Sequence, residues 1–94
     1  MPPIRLVGHI DVPPERRAAV AAALPEHISL TRAEPGCRAF DVTPDASVPG
    51  RFLVAEVFDD RAAFDAHQAR SRDSAWGALS DGLVRHYTIE ETAP

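Results

Sequence analysis

The chain has 94 residues, 45% of them hydrophobic and 26% charged, with a formal net charge of -4, so one small soluble domain over residues 1–94 is expected, without room for separate cofactor and substrate domains. With a net negative chain, no basic run and no aromatic-rich basic stripe, neither a nucleic-acid backbone nor an anionic membrane surface is expected as a partner. All ten basic residues are arginine, which excludes Schiff-base and lysine-dependent pyridoxal chemistry, and the lone Cys37 excludes an internal disulfide or a multi-cysteine zinc site.

The N-terminal stretch MPPIRLVGHIDV lacks the basic start and long apolar core of a signal peptide, so a cytoplasmic location is expected. Ile4 to Val12 alternates as a strand, with Ile4, Leu6, Gly8, Ile10 and Val12 on one face and Arg5, Val7, His9 and Asp11 on the other. Pro13 and Pro14 stop it. From Glu15 the chain is alanine-rich, and Val20, Leu24 and Ile28 recur every four residues as one face of a helix ending near Ala33, with His27 turned to solvent. Pro25 removes a backbone donor inside that run and predicts a bend or a split.

Pro35 and Gly36 end the helix, the glycine supplying the backbone freedom of a turn. Cys37 to Thr43 alternates again, with Arg38, Phe40 and Val42 on one face and Cys37, Ala39 and Asp41 on the other. Across the loop PDASVPG, Arg51 to Phe58 is the most strand-like stretch of the chain, and the two strands are expected to pair antiparallel. Asp59 or Asp60 caps a helix over Arg61 to Arg70, where Phe64 and His67 share a face and Arg61 is spaced to pair with Asp65. A short helix over Ser74 to Leu83 carries Trp76, Leu79 and Leu83. Val84 to Glu91 is the last strand, with Val84, His86 and Thr88 on one face, and residues 92–94 are a tail.

The order strand, helix, strand, strand, helix, strand predicts a ferredoxin-like α+β sandwich: βαββαβ, an antiparallel sheet with its helices on one face. The other sheet face carries apolar side chains and needs cover, so a homodimer joined sheet to sheet is expected. No H-x-H, H-x-x-x-H or H-E-x-x-H motif occurs, so a metal site would have to assemble in space from His9, His67, His86 and Glu56; no metal is expected. Glycine-rich nucleotide motifs are absent as well.

The ordered stretches TRAEPGCRAFDV, RFLVAEVFDD and AAFDAH resemble the antibiotic biosynthesis monooxygenase family, the small quinol-monooxygenase-like proteins, over about Ile4 to Ile89. The matching positions are Glu34, Pro35, Gly36 and Cys37, then Phe52 and Glu56, then Ala63, Phe64 and His67. The resemblance implies a dimeric α+β barrel with a pocket between helices and sheet, and oxygenation of a quinol-like or polycyclic aromatic by molecular oxygen without metal, flavin or other cofactor. After His67 the chain reads QARSRDSAW, without the second histidine that relatives often carry, and the chain has no asparagine, which speaks against the haem-degrading relatives.

Cofactor-free oxygenation needs a base for the substrate hydroxyl and donors for the resulting anion. His67, oriented by Glu56, is the candidate base; alternatively the pair ties helix to strand. Trp76 offers a flat surface for an aromatic or packs in the core. His9 and His86 line either the pocket or the dimer seam, Phe64 shapes the pocket, and Tyr87 and Arg72 are candidate donors. A cyclase or isomerase on the same barrel, or a binding module whose pocket is filled by side chains, are the alternatives. Cys37, beside a glycine turn and close to Glu34, is expected to be a buried thiol rather than a nucleophile.

Overall fold

The computed structural model describes residues 2–91, and the expected tail at 92–94 lies outside them. Strands β1 (Ile4–Asp11), β2 (Cys37–Pro44), β3 (Arg51–Phe58) and β4 (Val84–Glu91) form one four-stranded sheet in the order β2-β3-β1-β4. Every pairing is antiparallel. Helix α1 (Arg17–Arg32) follows a 3-10 turn at Pro14–Arg16, and α2 (Arg61–Arg72) and α3 (Ala75–Leu79) connect β3 to β4. The ferredoxin-like α+β sandwich expected from element order is the observed fold.

The helices cover one sheet face. Ile4, Leu6 and Ile10 of β1 meet Val54 and Phe58 of β3, and Val20 and Leu24 of α1, Phe64 of α2 and Trp76 of α3 close over them. The alternation of β1 therefore reads correctly, because one face buries apolar surface and the other does not. That other face is open, and Leu53 and Val84 on it are exposed. No helix among the described residues is long and apolar enough to cross a membrane.

Five local expectations need correction. Helix α1 runs unbroken through Pro25; the carbonyl that loses its donor belongs to Ala21, and both residues are exposed, so solvent can satisfy that acceptor. The buried face of α1 is Val20, Leu24, His27 and Thr31, so His27 points inward rather than to solvent. Strand β2 carries a bulge: Cys37 faces Phe58 and Ala39 faces Val57, leaving Arg38 as the extra residue. Cys37 thereby joins Phe40 and Val42 on the inner side while Arg38 is exposed and pairs with Asp59, the reverse of simple alternation. Arg61 bonds Glu91 at 3.1 Å instead of making the intrahelical pair with Asp65, and the helix expected to reach Leu83 ends at Leu79.

Candidate active site

Helix α2 is started by Asp60, whose side chain accepts a hydrogen bond from the Ala63 amide at 2.9 Å, satisfying one of the donors that a helix N-terminus leaves free. From that start, the three-residue spacing puts Phe64 and His67 on the buried face. The His67 ring stacks on Phe58 with centroids 4.9 Å apart and meets the edge of Phe40 at 5.5 Å. Its Nδ1 lies 2.8 Å from a carboxylate oxygen of Glu34. Arg70, one turn further along α2, donates to the other Glu34 oxygen and to the Thr31 hydroxyl.

Glu34 reaches His67 because the turn after α1 is pinned to the start of α2. Gly36 has φ 84°, where glycine alone is unstrained. A Cβ at Gly36 would come within 2.6 Å of the Ala63 Cβ. The Gly36 carbonyl accepts from the Asp59 amide at 2.8 Å. Helix exit, strand entry and helix start are thus locked together, and the carboxylate of Glu34 is held beside the imidazole.

The other ring nitrogen of His67, Nε2, lies 3.8 Å from Oε1 of Glu56 on the inner face of β3. That Glu56 oxygen and the Nδ1 of His27 are the two buried side-chain polar atoms without a hydrogen-bond partner among the described residues. Burial pushes Glu56 up to about 7 and His67 down to about 4, because each loses the water that favours its charged form. Near neutral pH His67 is therefore neutral, with its proton on Nδ1 toward Glu34 and a free lone pair on Nε2. A neutral imidazole oriented by a carboxylate on one side and open on the other is a general base.

That free side opens on a cavity of about 380 Å³ between sheet and helices, within the range of small-molecule pockets. Leu6, Ile10, Phe40, Val42 and Val54 make its apolar wall, while Glu56, Arg72, Arg85 and Tyr87 supply polar groups. Beyond His67, on the Glu34 side, a second hollow of about 500 Å³ lies between the Glu34–Gly36 turn and α2. His67 is a wall shared by both spaces.

Residues 3–78 match the antibiotic biosynthesis monooxygenase family. The chain belongs to that family. Rv0793 of Mycobacterium tuberculosis, which bears the provisional name of a monooxygenase, is 33% identical over 93 residues, covering 98% of this chain and 91% of its own length. Its solved structure superimposes with a TM-score of 0.70 at 29% identity, covering 98% of this chain and 94% of that one. A structure from Deinococcus radiodurans, provisionally named an antibiotic biosynthesis monooxygenase, shares the fold, with a TM-score of 0.78 at 24% identity over 97% of this chain and 93% of its own. An uncharacterised Synechocystis protein, sll1783, is 35% identical over 65 residues, which are 69% of this chain and 44% of that longer protein.

Within this family member the sequence-derived residues divide among three places. His67, Glu56, Trp76, Tyr87 and Arg72 border the cavity. Trp76 stacks on His27, with centroids 4.7 Å apart and planes 13° from parallel, and leaves the space beside His67 open rather than filling it. Phe64 is not on the cavity wall: it packs edge-on behind Phe58 at 5.9 Å, deeper in the core. His9 and His86 lie on the opposite face of the sheet, separated from the cavity by the strands themselves. The carboxylate hydrogen-bonded to His67 is Glu34, not the Glu56 that sequence alone suggested.

Glu34 and His27 are the residues that sequence reasoning missed. A signal existed for His27, since it lies three residues after Leu24 and four before Thr31, but the series Val20, Leu24, Ile28 competed for the same face. For Glu34 the turn was visible while the direction of its side chain was not.

The two kinds of buried group make stability pH-dependent in opposite senses. His67 and His27 are each lowered from 6.5 to about 4, so the unfolded chain binds protons first and stability falls as pH drops through that window. Glu56 is raised from 4.5 to about 7, so its contribution is present at low pH and is lost as pH rises through the same region. Glu56→Gln removes only the second effect. Relative to wild type, the variant is expected to gain stability between pH 5 and pH 8 by up to about 3 kcal/mol, at about 1.4 kcal/mol per pKa unit. Urea unfolding at both pH values checks this, and a pH-independent difference between the two proteins would overturn it.

Proposed function

We propose that this family member is a monooxygenase that oxygenates an electron-rich dihydroxyaromatic, quinol-like or polycyclic, with molecular oxygen and no metal or flavin. The observation that carries the reading is the asymmetric setting of His67: one nitrogen bonded to Glu34, the other facing a substrate-sized cavity. The aromatic lies in that space beside Trp76 and Phe40. Nε2 takes the hydroxyl proton, and the Glu34 carboxylate stabilises the imidazolium that results. Arg72, Arg85 and the Tyr87 hydroxyl are the donors available to the phenolate. Burial raises Tyr87 to about 12, so its hydroxyl stays protonated and able to donate.

Deprotonation pushes electron density onto the ring carbons, one of which bonds to oxygen. The balance is quinol plus O2 to hydroxyquinone plus water: one oxygen atom stays on the ring, the other leaves as water, and the substrate supplies all four electrons. Such a substrate needs no external reductant. Glu56, titrating near 7, is placed to return a proton as the water forms.

The test is oxygen uptake by metal-stripped protein over a panel of dihydroxyaromatics, with one labelled oxygen atom recovered in the product. No uptake with any of them sinks the proposal. Equal turnover under anaerobic conditions replaces it with a cyclase or isomerase that uses the same base. We further propose that a second copy covers the open sheet face, centred on Val7, Ala55 and Val57. Sedimentation velocity is expected to give a dimer, and a monomer at all concentrations removes that part of the reading.

A further inference from the structure

Two of the histidines that stood out in the sequence meet far from the cavity. His9 on β1 and His86 on β4 are directly paired across the ladder on the open face of the sheet, with ring centroids 4.9 Å apart. Asp11, two residues along β1 and so on the same face, places a carboxylate oxygen 3.7 Å from Nε2 of His9. One ligand atom from each of the three lies within 4.8 Å of the other two. We propose that His9, His86 and Asp11 form a binding site for a divalent transition-metal ion, with zinc the best match.

The chemistry of the donors favours zinc. Two imidazoles and one carboxylate suit a borderline-soft ion and do not suit calcium or magnesium, which take oxygen ligands. Tetrahedral zinc holds such atoms at about 2.0–2.2 Å, which sets ligand atoms roughly 3.4 Å apart. The His9–Asp11 separation is already close to that. The His86 ring needs a shift of about 1 Å, within the reach of an exposed side chain turning about its own bonds. Three protein ligands leave a fourth position for water.

Arg51 bears on the site in two ways. Its guanidinium holds both Asp11 oxygens, at 2.8 and 3.3 Å, and so fixes the direction of the carboxylate as an outer-shell partner does. It also competes with the ion for the same charge. The trio lies on the central strand β1 and its edge neighbour β4, toward the Asp11–Val84 end of the open face. The expectation of no metal rested on motif spacing, and on His9 and His86 joining His67 and Glu56. In the fold the two histidines join Asp11, a cross-strand arrangement that spacing along the chain does not display.

Calorimetric titration of metal-stripped protein with zinc, and with cobalt(II) read by its visible absorption, tests the proposal. One ion per chain is expected, with affinity reduced at least about 100-fold, the upper end of the loss from an outer-shell change, in His9→Gln and in His86→Gln. His67→Ala is expected to bind as wild type does. Both histidines are partly or fully exposed, and circular dichroism confirms that each variant is folded. If His9→Gln does not fold, His86→Gln carries the test. No saturable binding of either ion, or binding retained in the histidine variants, overturns the site.

Discussion

Replacing His67 by alanine is expected to lower turnover of a dihydroxyaromatic by about 10²- to 10⁴-fold, the range of a positioned general base, with substrate affinity much less changed. The apolar wall of Leu6, Ile10, Phe40, Val42 and Val54 still binds the ring system when the imidazole is gone. Glu34→Gln is the companion experiment. It keeps the shape of the hydrogen-bond partner and removes the charge that stabilises imidazolium, so kcat should fall while KM holds. A merely structural role for Glu34 would instead lower stability and leave kcat per folded molecule alone. Oxygen uptake that is undiminished in His67→Ala would remove His67 from the chemistry.

The second large effect is on folding. Phe58 is fully buried at 0% exposure, lies under the His67 ring and is met edge-on by Phe64. Phe58→Ala is expected to cost about 3–5 kcal/mol through lost burial and the cavity left behind, against a total of about 5–15 kcal/mol for a typical protein. Small domains have little margin, so the variant should be largely unfolded at temperatures that wild type tolerates. Phe58→Leu separates the two contributions of the residue: it restores much of the volume while removing the flat platform under His67. Stability should largely recover in it, and turnover should not. Urea unfolding of both variants decides the matter, and a loss below about 1 kcal/mol in Phe58→Ala, well under the usual range, would refute the structural account.

The fold was legible because its information is local and periodic. β1 and β3 alternate, the turn at Pro35 and Gly36 punctuates, and element order leaves one economical topology. The site was half legible. His67 could be found because it shares a helix face with Phe64 three residues earlier, and Glu56 because a carboxylate within an apolar strand draws notice. The bond between Glu34 and His67 joins positions 33 residues apart and depends on how a turn packs against a helix start, which no periodicity encodes. His27 was lost to a competing periodic series. Arg61 was lost because a long side chain on the surface finds whichever carboxylate the tertiary fold brings near, here Glu91, and exposed pairs within a helix hold too little energy to prevent that.

The bulge at Arg38 has a consequence for how this chain can change in length. In the loop at 44–50, added residues cost little, since closure entropy grows only with the logarithm of loop size. In the turn at 34–36, pinned to the start of α2, the same arithmetic does not apply. Deleting Arg38 would restore strict alternation with Cys37 still facing Phe58 and would lose only the pair with Asp59, whereas deleting a residue of the turn would draw the Glu34 carboxylate away from the imidazole. Changes in length should therefore be tolerated in the loop after strand β2, and as one deletion at its bulge, but not in the turn before it, a polarity in permitted length along a single strand.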